Sequence, residues 1–434
     1  MKKVLGYDIY QTAKVLWPFN RSITGDGVRM TLAALKNIIP DIKVFEVQSG
    51  QKAYDWTVPQ EWKIKDAYII GPNGNKFCNF KKNNLHVVGY SVPINRTMNL
   101  ENLQKHLYSI PQKKNAIPYV TSYYNKNWGF CISHSQRQKL KKGLYKVKID
   151  SKIFNGSLTY GEIIIKGKTN KEIFISTYVC HPSMANNEIS GPVVTAYLAK
   201  FLKDLKKTYY TYRIIFVPET IGSIVYIKKN YKLLKKNVIG GFNISCVGDD
   251  RTYSFVPSRN GQTVSDQIAN HVLKHLYPNY KKYSWLDRGS DERQYCSPGV
   301  DLPICSIHRS KYGTYPEYHT SEDNLKKVVT PKGLNGGYNA NKLAIEIFEN
   351  NFYYISTNLC EPQLSKYNLR SNVGGLKLAS KDKIISDIIS LCDGKNSLLD
   401  IAEKLHLPIW KLYEFIKILL EKRLIKKSNK KISQ

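Results

Sequence analysis

Past Tyr160 the sequence alternates short apolar runs with longer helix-patterned ones, and this alternation constrains the fold more than any other feature. EIFISTYVC, YRIIFVP, VIGGFNISCVG and LPICSIH have the length and near absence of charge of strands buried on both faces. Between and after them, residues 193–205, 224–234, 264–277 and 334–350 place apolar side chains at helical spacing. The alternation predicts an α/β domain with a central mixed sheet flanked by helices and functional loops at the strand ends.

The 434 residues exceed one compact core and predict two or three domains. Residues 7–39 read as helix broken near Pro18 and Gly25, and a strand, IKVFEV, follows. From about residue 55 the runs DAYII, LHVVGYSVP, AIPYVTSYY, WGFCIS and GLYKVKI, separated by Pro, Gly and Asn, predict a separate, mainly β unit. Beyond residue 351 a Tyr/Asn-rich connector leads to three short helical segments, a His406-Leu407-Pro408 turn and a final LIKKS strand, the outline of a winged helix-turn-helix. The expected layout is a discontinuous catalytic domain (1–54 and 151–355), an inserted mainly-β domain (55–150) and a winged-helix domain (376–434).

The net charge of +32 arises mostly from scattered Lys, which reads as a solvated surface as readily as a nucleic-acid footprint. Nucleic acid is therefore not the favoured partner, and self-association stays open. Eight cysteines never form a C-x-x-C pair, which argues against a disulfide framework or a thiolate zinc site. The N-terminus lacks an apolar leader core and no stretch reaches the ~20 apolar residues of a membrane span, so a cytoplasmic location is expected.

Chemistry concentrates at four strand ends. The first strand runs into His181, with Asn187 and Glu188 just ahead of Ser190-Gly191, a placement that presents metal ligands. The next ends at Glu219, read either as a helix N-cap or as a general base or ligand. The third delivers Asp249 and Asp250, then Arg251 and Arg259, which could be a ligand with its supporting acid or a solvated turn. The fourth cluster is GSDERQYCSPG followed by a loop crowded with Tyr315, Glu317, Tyr318, His319 and Asp323, in which His319 is the candidate second histidine ligand.

These clusters, in this order, resemble the zinc aminopeptidase superfamily that includes leucyl-aminopeptidase and glutaminyl-cyclase type enzymes. ITGDGVR, YDWTVP, LTYGE, HPSMANNE, VPETIGS, SDERQYCSPG and YPEYHTSEDN carry a narrower resemblance to bacterial aminopeptidase-like proteins with an inserted β domain and a C-terminal winged helix, encoded among surface-polysaccharide genes. The resemblance implies one or two zinc ions held by His181, Glu188, Asp250 and His319. It implies catalysis by Glu219 as general base with Arg293 and Tyr318 at the oxyanion, and substrate binding by Arg259 and Tyr315. The expected activity is zinc-dependent hydrolysis of a peptide or acyl-amide, with an acylated amino sugar as an alternative substrate and a ligand-sensing regulator as an alternative role. Three positions depart from the superfamily: its bridging Asp falls on Asn187, the second acid of its Glu pair on Thr220, and its strand Asp on Ser245.

Overall fold

A computed structural model describes residues 2–370 and 380–430. Its centre is an eight-stranded mixed sheet. In spatial order the strands are Lys43–Gln48, Ser157–Ile165, Thr211–Val217, Glu172–Tyr178, Val238–Asn243, Ile304–His308, Ser254–Val256 and Lys281–Lys282. The four strands from Thr211–Val217 to Ile304–His308 run parallel, and antiparallel strands lie outside them. The α/β expectation is met, and the continuous apolar runs are the strands buried on both faces: every residue of Glu172–Tyr178, Thr211–Val217 and Val238–Asn243 is buried. Close strand approach is secured by Gly241, where a Cβ would lie 1.9 Å from the Phe174 carbonyl oxygen.

Helices Lys2–Leu16, Ser190–Asp204, Val264–Leu276 and Pro331–Asn350 pack one core on one face of the sheet. On the other face, Ile221–Asn237 shares its core with the inserted segment, where Trp62, Tyr90, Phe130 and Tyr145 join Phe174, Ile215 and Tyr226. That segment holds a four-stranded antiparallel sheet ordered Lys76–Phe77, Glu61–Ile70, Leu144–Phe154, Ile94–Asn99.

The C-terminal segment is a winged helix whose helices are Ser380–Leu391, Leu398–Lys404 and Tyr413–Glu421. Its sheet corrects the reading of the connector: Tyr353–Ser356 is the middle strand, flanked by Asp393–Ser397 and Ile425–Lys427. The expected domain limits at 376 and 434 lie outside the described residues. Its apolar residues merge with the core of the larger domain. The helix Tyr413–Glu421 turns Ile416 and Leu419 inward and leaves Glu414, Lys417 and Glu421 exposed. At the junction His271 is buried, its Nδ1 paired with Glu403 at 2.5 Å and its Nε2 accepting the Ile409 amide at 2.9 Å. No helix among the described residues is long and apolar enough to cross a membrane.

Candidate active site

The carboxyl ends of the parallel strands converge, and the loops that leave them carry non-glycine residues at positive φ: Ser183 (φ 34°), Thr220 (φ 66°), Cys246 (φ 51°) and His319 (φ 54°). Such conformations cost on the order of 1–3 kcal/mol each and persist where the surroundings enforce them, commonly at functional sites.

His181 follows the buried strand Glu172–Tyr178. Its backbone N–H and its Nδ1 both meet Glu188 Oε2, each at 3.0 Å. Glu188 lies in a π-helical turn, Ala185–Ile189, that precedes the helix Ser190–Asp204, and such widened turns recur at functional sites. Behind it stands Arg21, 1% exposed, 3.4 Å from Glu188 Oε1 and donating from Nε to the His181 carbonyl at 2.9 Å. Glu188, read from sequence as a metal ligand, thus contacts His181 through Oε2 and has Arg21 as its counter-charge.

This arrangement leaves His181 Nε2 pointing outward, 3.6 Å from Glu219 Oε2. Ser290 donates to Glu219 Oε1 at 2.8 Å, so Oε2 is the free oxygen. Burial raises the Glu219 pKa despite His181 and Ser290. Asp291 accepts from the Thr220 amide at 2.7 Å and from the Ser223 hydroxyl at 2.8 Å, its Oδ2 is unpartnered, and burial with the Glu219 charge raises its pKa. For His181 burial alone would lower the pKa, but its neighbours reverse the sign and raise it. Burial pushes the Cys180 thiol up to about 11, so it stays neutral, and the carboxylates of Glu188 and Glu219 are what favour a positive charge here.

His319 lies across from His181 with ring centroids 5.4 Å apart. Burial and the neighbouring His181 lower its pKa to about 3, which keeps it neutral. Tyr318 stacks on it at 3.9 Å. Tyr119, from the inserted segment, sets its ring edge-on against both histidines at 5.4 and 5.3 Å and donates its amide to the His319 carbonyl at 3.0 Å. Arg293 is exposed at the rim and donates to Thr220 Oγ1 at 2.6 Å.

Other sequence candidates fall elsewhere. Asp250, expected as a metal ligand, is exposed and accepts from Thr330 at 2.7 Å, beside the cap of the helix Pro331–Asn350. Its neighbour Asp249 is buried but bound to the Ser310 amide and hydroxyl. Arg259 is surface-exposed and paired with Asp301 at 2.8 Å. Tyr315 is buried, donating to Asp323 at 2.9 Å, while Asp323 also accepts the Asn186 and Asn187 amides that open the π-helical turn. Arg21, Tyr119 and Cys180 escaped the sequence reading. Arg21 and Tyr119 lie far from His181 along the chain, and Cys180 could have been found from its place beside His181 at the strand end.

A family described as a domain of unknown function (DUF4910) matches residues 10–351. The chain belongs to this family. A winged helix-turn-helix family matches residues 352–427, in keeping with the C-terminal fold. A Clostridium acetobutylicum relative, named for polysaccharide biosynthesis with an aminopeptidase-like domain, is 44% identical over 401 residues, covering 92% of this chain and 91% of its own. A crystal structure of a candidate peptidase from Clostridium acetobutylicum superposes with a TM-score of 0.92 at 41% identity, covering 98% of this chain and 97% of that one. A zinc aminopeptidase from Bacillus subtilis shares the fold, with a TM-score of 0.57 at 14% identity over 79% of this chain and 94% of that one. The aminopeptidase-like fold with a C-terminal winged helix is thus established.

Proposed function

We propose that the chain is a metal-dependent amide hydrolase whose centre is His181, Glu219 and His319. The observation that carries this reading is the outward-facing His181 Nε2, held by buried Glu188 and Arg21, opposite the free Oε2 of Glu219 at 3.6 Å. A carboxylate behind a histidine is the arrangement that fixes the tautomer of metal-ligating imidazoles.

The donor set suits one zinc ion. His181 Nε2 would be one ligand, and Glu219 Oε2, 3.6 Å away, stands within reach of a water on the ion as a base rather than as a ligand. His319, neutral on the opposite side, supplies the second imidazole. The positions that depart from the superfamily argue against a second ion: Asn187 Oδ1 already accepts the Tyr178 hydroxyl at 3.0 Å, its Nδ2 is buried without a partner, and Thr220 and Ser245 carry no charge. Among the described residues Cys180, His181 and Glu188 also bring donor atoms within 4.8 Å, but a neutral thiol and a carboxylate neutralised by Arg21 make that a support for His181, not an ion site.

When bound, zinc supplies Lewis-acid activation of water at neutral pH. Glu219 takes up the water's proton at Oε2, with Ser290 fixing the other oxygen and burial tuning its basicity toward the working range. Tyr318, whose hydroxyl has no protein partner among the described residues, and the guanidinium of Arg293 stand ready for the charge that develops on the amide oxygen. The relative's name supports placing this chemistry in polysaccharide assembly. The test is turnover on aminoacyl anilides and N-acyl amino sugars by zinc-loaded protein. Glu219→Gln should lose ~10²-fold or more in kcat while keeping its zinc. No hydrolysis of either class would leave the hydrolase reading unsupported, and full activity in Glu219→Gln would remove Glu219 from it.

A further inference from the structure

The inserted segment does more than cover the centre. Residues 113–121 are fastened to the His319 loop: Lys113 donates to the Pro316 carbonyl, Ile117 and Ser321 exchange hydrogen bonds, and Tyr119 binds the His319 carbonyl. From Tyr119 an aromatic path leads outward. Its hydroxyl meets that of Tyr123 at 2.9 Å, and the Tyr123 ring sits edge-on to Tyr90 at 5.5 Å. Tyr123 and Tyr90 both occupy the left-handed region, with φ of 32° and 65°. Bulky residues rarely take that conformation, and its recurrence at ligand clamps makes it informative here.

Tyr90 and Tyr123 form the inner wall of a groove of about 540 Å³ on the inserted segment. Its outer wall is Tyr124, 51% exposed, tethered by its hydroxyl to the Thr57 carbonyl at 2.7 Å and paired with exposed Trp56 at 6.5 Å. The remaining lining contributes the amides of Gln60 and Asn125 and the ammonium groups of Lys126 and Lys152, with no carboxylate among the lining residues. The exposed Tyr124 ring offers an apolar face to the C–H face of a sugar ring, amides pair with vicinal hydroxyls, and two lysines without a competing acid favour a carboxylate. A peptide strand would call instead for an open row of backbone donors and acceptors.

We propose that this groove is a subsite for an acidic glycosyl unit that carries the amide presented to His181 and Glu219. The assignment rests on the hydrolase reading for its orientation, but its test does not need turnover. Binding of an oligogalacturonate trimer, a neutral chito-oligosaccharide trimer and trialanine to the full zinc-loaded chain would be followed by calorimetry and by saturation-transfer NMR.

The expected result is saturable binding of the acidic trimer, weaker binding of the neutral one, and at least a tenfold loss for the acidic trimer in Tyr124→Ala and in Lys152→Ala. Both side chains are exposed, so the fold is retained, which circular dichroism checks. Glu219→Gln should bind the acidic trimer as wild type does. Absence of saturable binding by the acidic trimer, affinity unchanged in both variants, or displacement of the trimer by trialanine would overturn the proposal. Trimer binding intact in a wild-type chain that hydrolyses no amide would count against the hydrolase reading alone.

Discussion

Arg21→Met isolates the electrostatic support of the site. Methionine approximates the volume of the arginine stem, so the main change is loss of a guanidinium that is 1% exposed and lies 3.4 Å from a carboxylate equally buried. Glu188 Oε1 accepts no hydrogen bond, which leaves the Arg21 charge as its main compensation. Removing one partner of such a pair costs about 3–5 kcal/mol. At ~2.1 cal/mol/K per residue the unfolding entropy of a chain this long is about 0.9 kcal/mol/K, so the melting temperature should fall by roughly 3–6 °C. Scanning calorimetry reads that shift, and the double variant Arg21→Met/Glu188→Gln should recover part of it because no unpaired buried charge remains. A single variant melting within 1 °C of wild type, or a double variant that loses the sum of the single effects, would refute the reasoning.

Three other outcomes follow from the same structure. Asn187→Asp combined with Thr220→Glu restores two acids to the positions where the superfamily has them, and zinc content measured by plasma mass spectrometry should rise from one ion per chain toward two. Burial lowers the His271 pKa below its usual 6.5, so the folded state binds fewer protons than the unfolded one below about pH 6.5. The winged-helix junction should be fully stabilised above that pH and weaken on acidification through the lowered value, since a protonated Nε2 cannot accept the Ile409 amide. Thermal melts at pH 7.5 and 5.5 should show a loss that His271→Asn reduces. Gly241→Ala, whose Cβ would sit 1.9 Å from the Phe174 oxygen, should cost about 3 kcal/mol or more, read by denaturant unfolding.

The parallel sheet was legible because buried strands must be continuously apolar, and EIFISTY, YRIIFV and VIGGFN are. The strand-end positions of His181 and Glu219 followed from the same runs. Harder to see was what closes the site from a distance. Arg21 comes 160 residues before His181, and Tyr119 belongs to a run that reads as an ordinary β segment. Adjacent acids also part ways: Asp249 and Asp250 share a turn, yet one is buried on Ser310 and the other faces out toward Thr330, a difference set by backbone direction that composition does not encode. The strand Tyr353–Ser356 reads as a connector because four residues without period-2 contrast carry little signal, and its partners lie about 40 and 70 residues onward.

The central claim is a one-ion centre on two imidazoles. Metal content by plasma mass spectrometry, on protein purified without chelator and supplied with zinc, tests it directly for wild type, His181→Ala and His319→Ala. One zinc per chain is expected in wild type, with loss in both variants. Wild-type protein that takes up no zinc, or variants that retain it in full, would contradict it.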